Sequence, residues 1–375
     1  MKNKYLFIAT VVILATVLGG CATANISTSW PGLNASSSLA YATFGNYVYA
    51  VKIKDGTLAW QYPQQMDRDQ VFFAPPAVEA DLLVVGDYTK NLHAVNNNNG
   101  LPQWVFSEAK DKYVAGALIY DQTIYAPNGD GYLYALDTNG KLLWKFRTKN
   151  ANWSKPVTDG NVLYFSSMDH HLYALKLNYS QDEISADEEG LRFGIQNPLW
   201  SIDLGSAIFA DPVISKDGSI YVVTLGGKIY SIDAQNGNIL WSYPQEGTSG
   251  GFWASPWLVA DTLYAADQSG KIYALNSIDG KEVWSTPFEA GSPVIAGGLA
   301  VGQGAAFITT DGKYFTFSNR EDIVQSAQIT ESTYTLPQMV EGRIVLAAVG
   351  KEFLLTTFNV ANPSNLLWKF NPPEN

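Results

Sequence analysis

The sequence predicts an all-β protein, and two observations carry that prediction. The first is composition. Only 16% of the 375 residues are charged, against roughly 25% in an average soluble chain. Aromatic residues make up 13%, and 32 residues are glycine. Aromatic side chains favour strands, and glycine serves the tight turns between them. A disordered acidic chain would lack the aromatics. The second observation is self-similarity, because a unit of about 42 residues recurs along most of the chain.

The clearest copies of the unit run from Ile208 to Trp241 and from Phe252 to Trp284. Each begins with an aromatic or apolar residue near a Pro. A turn and an apolar run ending in Tyr follow, then Gly, a second alternating run, another turn and a closing Trp. The closing Trp falls at Trp60, Trp104, Trp144, Trp200, Trp241, Trp284 and Trp368, and the slot near Ser326 lacks it. Counting that slot, the chain holds eight units. Each unit reads as four short strands separated by Gly, Asn or Asp turns. Four strands repeated at this period form a propeller blade. The prediction is therefore one eight-bladed β-propeller of four-stranded antiparallel blades over residues 28–371, with a tail at 372–375. The order of the units predicts closure of blade 8 on blade 1 without an exchanged strand.

What precedes the propeller is an address. Lys2 and Lys4 are followed by an apolar run from Tyr5 to Leu18. That run is shorter than the roughly 20 residues of a membrane-spanning helix and suits a secretory signal peptide. It ends in Leu18-Gly19-Gly20-Cys21, which resembles the bacterial lipobox. The resemblance implies a signal peptide at 1–20, a lipid on Cys21 and a tether at 21–27. Several acyl chains on one residue anchor a protein stably to a membrane. With Ala22 next, the address is the outer membrane in a host that has one, and otherwise the outer face of the cell membrane. Cys21 is the only cysteine, so no disulfide can form within the chain.

Within the unit a spacing of small residue, Asp or Asn, Gly and Trp recurs. It appears as Ala94, Asn96, Gly100, Trp104, as Ser231, Asp233, Gly237, Trp241, and as Ala274, Asn276, Gly280, Trp284. This resembles the tryptophan-docking motif of pyrroloquinoline-quinone-type propellers. The resemblance covers about residues 28 to 370. It implies an interlock in which Gly makes a turn and Trp fills space against the neighbouring blade while its N–H finds a carbonyl. Blade 1 has Lys52 in the acidic place, and blade 3 carries a shorter version ending in Trp144. Blade 7 has Thr316 and Ser326 where Ala and Trp are expected. Blade 4 carries an acidic insertion at 177–198, with Asp182, Glu183, Asp187, Glu188 and Glu189. It reads as a solvated loop on the face opposite the inner-strand starts.

The same resemblance raises an enzyme, a quinoprotein dehydrogenase. Such enzymes are implied to hold the quinone on Ca²⁺ over the axis beneath a disulfide of adjacent cysteines. This chain has no Cys pair. Asn128-Gly129-Asp130 and His170-His171 read as hairpin turns, since a calcium site would need about six oxygen ligands. No cofactor, metal site or catalytic residue is expected. A net charge of −11 argues against nucleic acid, whose phosphates demand clustered Lys and Arg.

One further pattern concerns binding. Aromatic residues stand three before the inner-strand Pro in five blades: Phe73, Trp153, Phe209, Trp253 and Tyr334. Thr28, Val114 and Ala290 occupy that place in the others. These side chains either pack between blades or ring the axial entrance as a site for an extended peptide, a glycan or an apolar ligand. A propeller joined to a lipobox resembles the propeller lipoproteins of outer-membrane β-barrel assembly. That implies a non-catalytic envelope scaffold whose partners are envelope proteins or extended peptides, held to the membrane by its lipid. A dehydrogenase and a glycan-binding or small-ligand-binding surface lipoprotein are the alternatives.

Overall fold

The structure is a computed structural model that describes residues 30–186, 192–318, 323–350 and 352–373. Cys21, with the whole signal and tether, lies outside the described residues. The chain forms eight blades of four antiparallel strands, each from one contiguous stretch: 32–62, 77–106, 118–147, 157–203, 213–243, 257–289, 298–328 and 338–370. Strand order within every blade follows the chain. Blade 1 is typical, with strands Gly32–Ala35, Leu39–Phe44, Tyr47–Lys52 and Leu58–Tyr62.

The second and third strands of each blade are buried on both faces. They therefore read as nearly unbroken apolar runs, such as Leu82–Gly86 and Thr123–Pro127, rather than as alternation. The core is accordingly not one mass but a series of layers between blades. Tyr41, Val48, Ala50 and Trp60 of blade 1 meet Phe72, Leu83, Val85 and Val95 of blade 2. Blades 8 and 1 share such a layer through Val345, Leu355 and Phe370 against Leu33, Tyr49 and Val51. Thr335 Oγ1 donates to Pro31 O at 2.6 Å and Trp368 Nε1 to Ile53 O at 2.8 Å. The ring closes blade against blade, with no strand exchanged.

The interlock forms as the motif implies in five places. The Trp of one blade covers the glycine in the third-to-fourth-strand turn of the next, where an added Cβ would come within 2.6 to 2.7 Å of the indole. The pairs are Gly100 with Trp60, Gly140 with Trp104, Gly237 with Trp200, Gly280 with Trp241 and Gly56 with Trp368. Each of these indoles donates to a carbonyl across the interface, at Asn97, Thr138, Ala234, Ser277 and Ile53 respectively. The glycines have φ near +70 to +80°, so conformation and space both require them.

Trp144 and Trp284 depart from this. Both are buried and neither N–H has an acceptor among the described residues. Each faces a blade whose turn has changed. Trp144 meets the insertion of blade 4 and packs edge-on against Tyr179 at 5.3 Å. Trp284 meets blade 7 and packs on Phe317 at 4.9 Å. The missing Trp of blade 7 is also displaced by one residue from the sequence reading. Thr316 pairs with Gln325, not Ser326, because the connection between the two strands is one residue shorter than between Ala50 and Trp60 or Ala94 and Trp104, as it also is between Ala135 and Trp144. The Gln325 carboxamide donates to Ala361 O at 3.3 Å, reproducing the cross-blade bond of an indole.

The acidic insertion is not a solvated loop. Its strands Ser185–Ala186 and Arg192–Ile195 extend the sheet of blade 3, and the latter lies parallel to Leu142–Arg147 with Lys145 opposite Gly194 and Phe146 opposite Ile195. An outermost strand offers unpaired N–H and C=O groups, and the insertion satisfies them. Ile184 and Ile195 are buried in the same layer as Trp144, and Phe193 packs on the layer between blades 2 and 3. These apolar residues were the overlooked signal, masked by the acids around them. Glu183 pairs with Lys176, while Asp187, Glu188 and Glu189 lie outside the described residues.

Candidate functional site

Each inner strand is entered from one face of the ring, the face that also carries the hairpins between second and third strands. The last residues before that strand are stiffened by Pro in most blades, which fixes the direction from which the chain enters. Register defines equivalent positions better than Pro does. Asn34, Ala77, Leu118, Val157, Val213, Trp257, Leu299 and Gln338 all sit opposite the middle of a second strand. Four residues before them stand Trp30, Phe73, Val114, Trp153, Phe209, Trp253, Ile295 and Tyr334. All eight line one cavity of about 310 Å³. One side chain from every blade thus forms an apolar ring around the axial mouth.

Counting three back from Pro names five of these aromatics and puts the slots of blades 1 and 7 at other residues. Trp30, not Thr28, fills the place in blade 1, and Ile295, not Ala290, fills it in blade 7. Pro31 and Pro293 do not stand where the other blades carry their Pro, so counting back from Pro misaligned those blades. Thr28 lies outside the described residues.

The ring is not uniform. Phe73 is 7% exposed and meets Tyr88 edge-on at 4.3 Å, so it packs more than it presents. Trp253 and Tyr334 are 37% and 36% exposed. Rings run in sequence across three blades, with Trp153 edge-on to Phe209 at 5.9 Å and Phe209 stacked on Trp253 at 5.1 Å. Trp30 and Tyr334 meet at 6.1 Å across the closure.

Two residues further along each chain is a second tier: Gly32, Pro75, Gly116, Lys155, Asp211, Ser255, Gly297 and Leu336. Its polar members are confined to blades 4, 5 and 6, directly below the contiguous aromatics. Lys155, Asp211, Ser255 and Leu336 also line a larger chamber of about 1030 Å³ beneath, so the mouth leads into an axial channel. Asp211 Oδ1 accepts the Lys155 backbone N–H at 2.6 Å, and the Asp211 N–H donates to Ser255 Oγ at 3.0 Å. Burial in the channel wall pushes the Asp211 carboxyl above the usual carboxylate range, against the opposing pull of that N–H and of the Lys155 charge.

This donor set does not suit a quinone held on calcium. Asp211 is the single carboxylate of its tier, and calcium takes six to eight oxygens. Among the described residues, no group of three or more His, Cys, Asp or Glu is placed to hold a metal. His93 is instead part of a buried network between blades, with Asp87 Oδ2 at 2.9 Å and the Tyr62 hydroxyl at 3.0 Å. His171 sits against the carbonyl of Asp169 in its hairpin turn.

Comparison with known proteins agrees with this architecture. The chain is similar to outer membrane protein assembly factor BamB of Moranella endobia, 24% identical over 199 residues, which are 52% of this chain and 48% of that one. It is 27% identical over 135 residues to the BamB of Bordetella pertussis, covering 36% of this chain and 32% of that one. The chain thus spans half or less of the curated relatives it matches. Among solved structures, BamB from Moraxella catarrhalis superposes with a TM-score of 0.68 at 18% identity, over 87% of this chain and 92% of that one. The computationally designed Ika8 protein superposes with a TM-score of 0.69 at 14% identity, over 89% and 97%. The family described as outer membrane protein assembly factor BamB matches residues 90–181 and 196–293. This chain therefore belongs to the outer membrane protein assembly factor BamB family.

Proposed function

We propose that the protein is a non-catalytic scaffold of the cell envelope, anchored through a lipid on Cys21, that holds protein partners during outer-membrane protein assembly. Membership of the assembly-factor family supports the role. The observation that carries binding rather than catalysis is the axial mouth itself. Eight blades contribute eight apolar side chains to it, with a single carboxylate in the tier below. Trp153, Phe209, Trp253 and Tyr334, together with Trp30, are the aromatic residues proposed to meet a partner, with Phe73 packed behind the mouth against Tyr88.

Two experiments test this reading. Affinity capture of the tagged protein from solubilised native membranes is expected to retain an outer-membrane β-barrel protein or its assembly machinery. Capture of neither, together with oxidation of alcohols or sugars on adding pyrroloquinoline quinone and Ca²⁺, overturns the scaffold role. Metabolic labelling with a palmitate analogue is expected to mark the wild type and not Cys21→Ala. Unlabelled wild type, or a labelled variant, overturns the anchor.

A further inference from the structure

We propose that the channel mouth receives an extended peptide in which a large apolar or aromatic residue adjoins a Lys or Arg. The apolar side chain would lie against Trp153, Phe209 and Trp253, and the cation would meet the Asp211 carboxylate. This rests on the scaffold reading and narrows it to a partner chemistry.

The argument starts from the asymmetry of the two tiers. Aromatic surface exists around much of the ring, and Asn34, Thr335 and Gln338 add neutral polar groups at blades 1 and 8, but the charged residues that line the mouth, Lys155 and Asp211, lie only under blades 4 and 5. An occupant that used the whole ring equally would gain nothing from that arrangement. One that pairs a flat apolar group with a charged head finds a charged partner only there. Such pairing of an apolar wall with a few placed polar groups is how small sites obtain orientation.

Charge then selects the head. Asp211 Oδ1 is engaged by the Lys155 N–H, whereas Oδ2 accepts no hydrogen bond among the described residues. Lys155 lies close enough to attract the carboxylate, yet the two do not close an ion pair. The channel below adds Asp217 and Asp261 against Lys216, so acids outnumber bases along the wall. The whole chain carries −11, which favours approach of a cation. An incoming ammonium or guanidinium would complete the Asp211 hydrogen bonding and sit beside aromatic faces that attract positive charge. Lys155 competes for the same carboxylate.

The test uses the full lipidated chain in detergent and three blocked peptides, Ala-Phe-Lys-Ala, Ala-Phe-Gln-Ala and Ala-Phe-Glu-Ala, titrated by calorimetry. The Lys peptide is expected to bind about tenfold tighter than the Glu peptide. Asp211→Asn should reduce that preference to less than about twofold, Lys155→Met should strengthen binding of the Lys peptide, and Trp253→Ala should weaken all three. Equal affinities in the wild type, a preference that survives Asp211→Asn, or no binding of any peptide overturns the proposal. Thermal unfolding of each variant checks the fold. If a membrane partner is still captured by Asp211→Asn and Trp253→Ala, the scaffold reading stands and its interface lies elsewhere.

Discussion

The indole of Trp368 lies over Gly56 and donates its N–H to Ile53 O at 2.8 Å, 315 residues away in the chain. This contact joins the last blade to the first, and it uses the same interlock that joins blades adjacent in sequence. A ring has no free end only if this joint holds. Trp368→Ala is therefore expected to cost about 3–5 kcal/mol. Gly56→Ala, which places a Cβ 2.7 Å from the ring at φ +74°, should destabilise in the same direction. Denaturant unfolding measures both. A Trp368→Ala protein as stable as the wild type would show that the closure is carried elsewhere.

The seven docking tryptophans fall into two kinds, and one substitution separates them. Trp241→Phe removes a hydrogen bond to Ser277 O and is expected to cost about 1–2 kcal/mol. Trp284→Phe removes a buried N–H that has no acceptor among the described residues, so its cost should be clearly smaller. Equal losses in equilibrium unfolding would contradict the assignment.

The insertion of blade 4 is held by its apolar residues. Tyr179 covers Trp144, and Ile184 and Ile195 share their layer. Ile195→Ala is expected to cost about 2 kcal/mol or more and to expose the amides of Arg192–Ile195 to hydrogen exchange. Rapid exchange in the wild type would instead mean that the hairpin does not stay docked on blade 3.

Asp211 makes a prediction about pH. Its folded-state pKa is raised by burial, so the folded protein disfavours the ionised form. The resulting penalty is present above the folded pKa, and it disappears below the unfolded pKa of about 3.9. Asp211→Asn keeps the acceptor for the Lys155 N–H and should raise the unfolding temperature near pH 7 by roughly a degree or more. The gain should vanish near pH 3.5. A variant that melts earlier at neutral pH would mean that the carboxylate is held by a partner stronger than the wall provides.

Most of the architecture was legible in the chain because a propeller repeats its chemistry. Small residue, turn glycine and tryptophan must recur wherever one blade meets the next, so Gly100 and Trp60 announce their contact long before coordinates are known. The mouth was only partly legible. Its aromatics were found by counting from Pro, and that works only where Pro keeps its place relative to the inner strand. In blades 1 and 7 it does not, and Trp30 and Ile295 became visible only through hydrogen-bond register.

Local sequence determined the strands, the blade number and the interlock, because each depends on residues close together in the chain or on a repeated pair. Tertiary structure decided three other things. It placed Lys155, Asp211 and Ser255 in one arc beneath the aromatic ring, although about 50 residues separate each from the next. It folded an acidic insertion onto the edge of the preceding blade, where three apolar side chains outweighed the charges beside them. It also put Gln325 in the place of a missing indole, through a connection one residue shorter than in blades 1, 2 and 5. In each case the deciding quantity is a distance between segments remote in sequence, set by closure of the ring and not by any local preference.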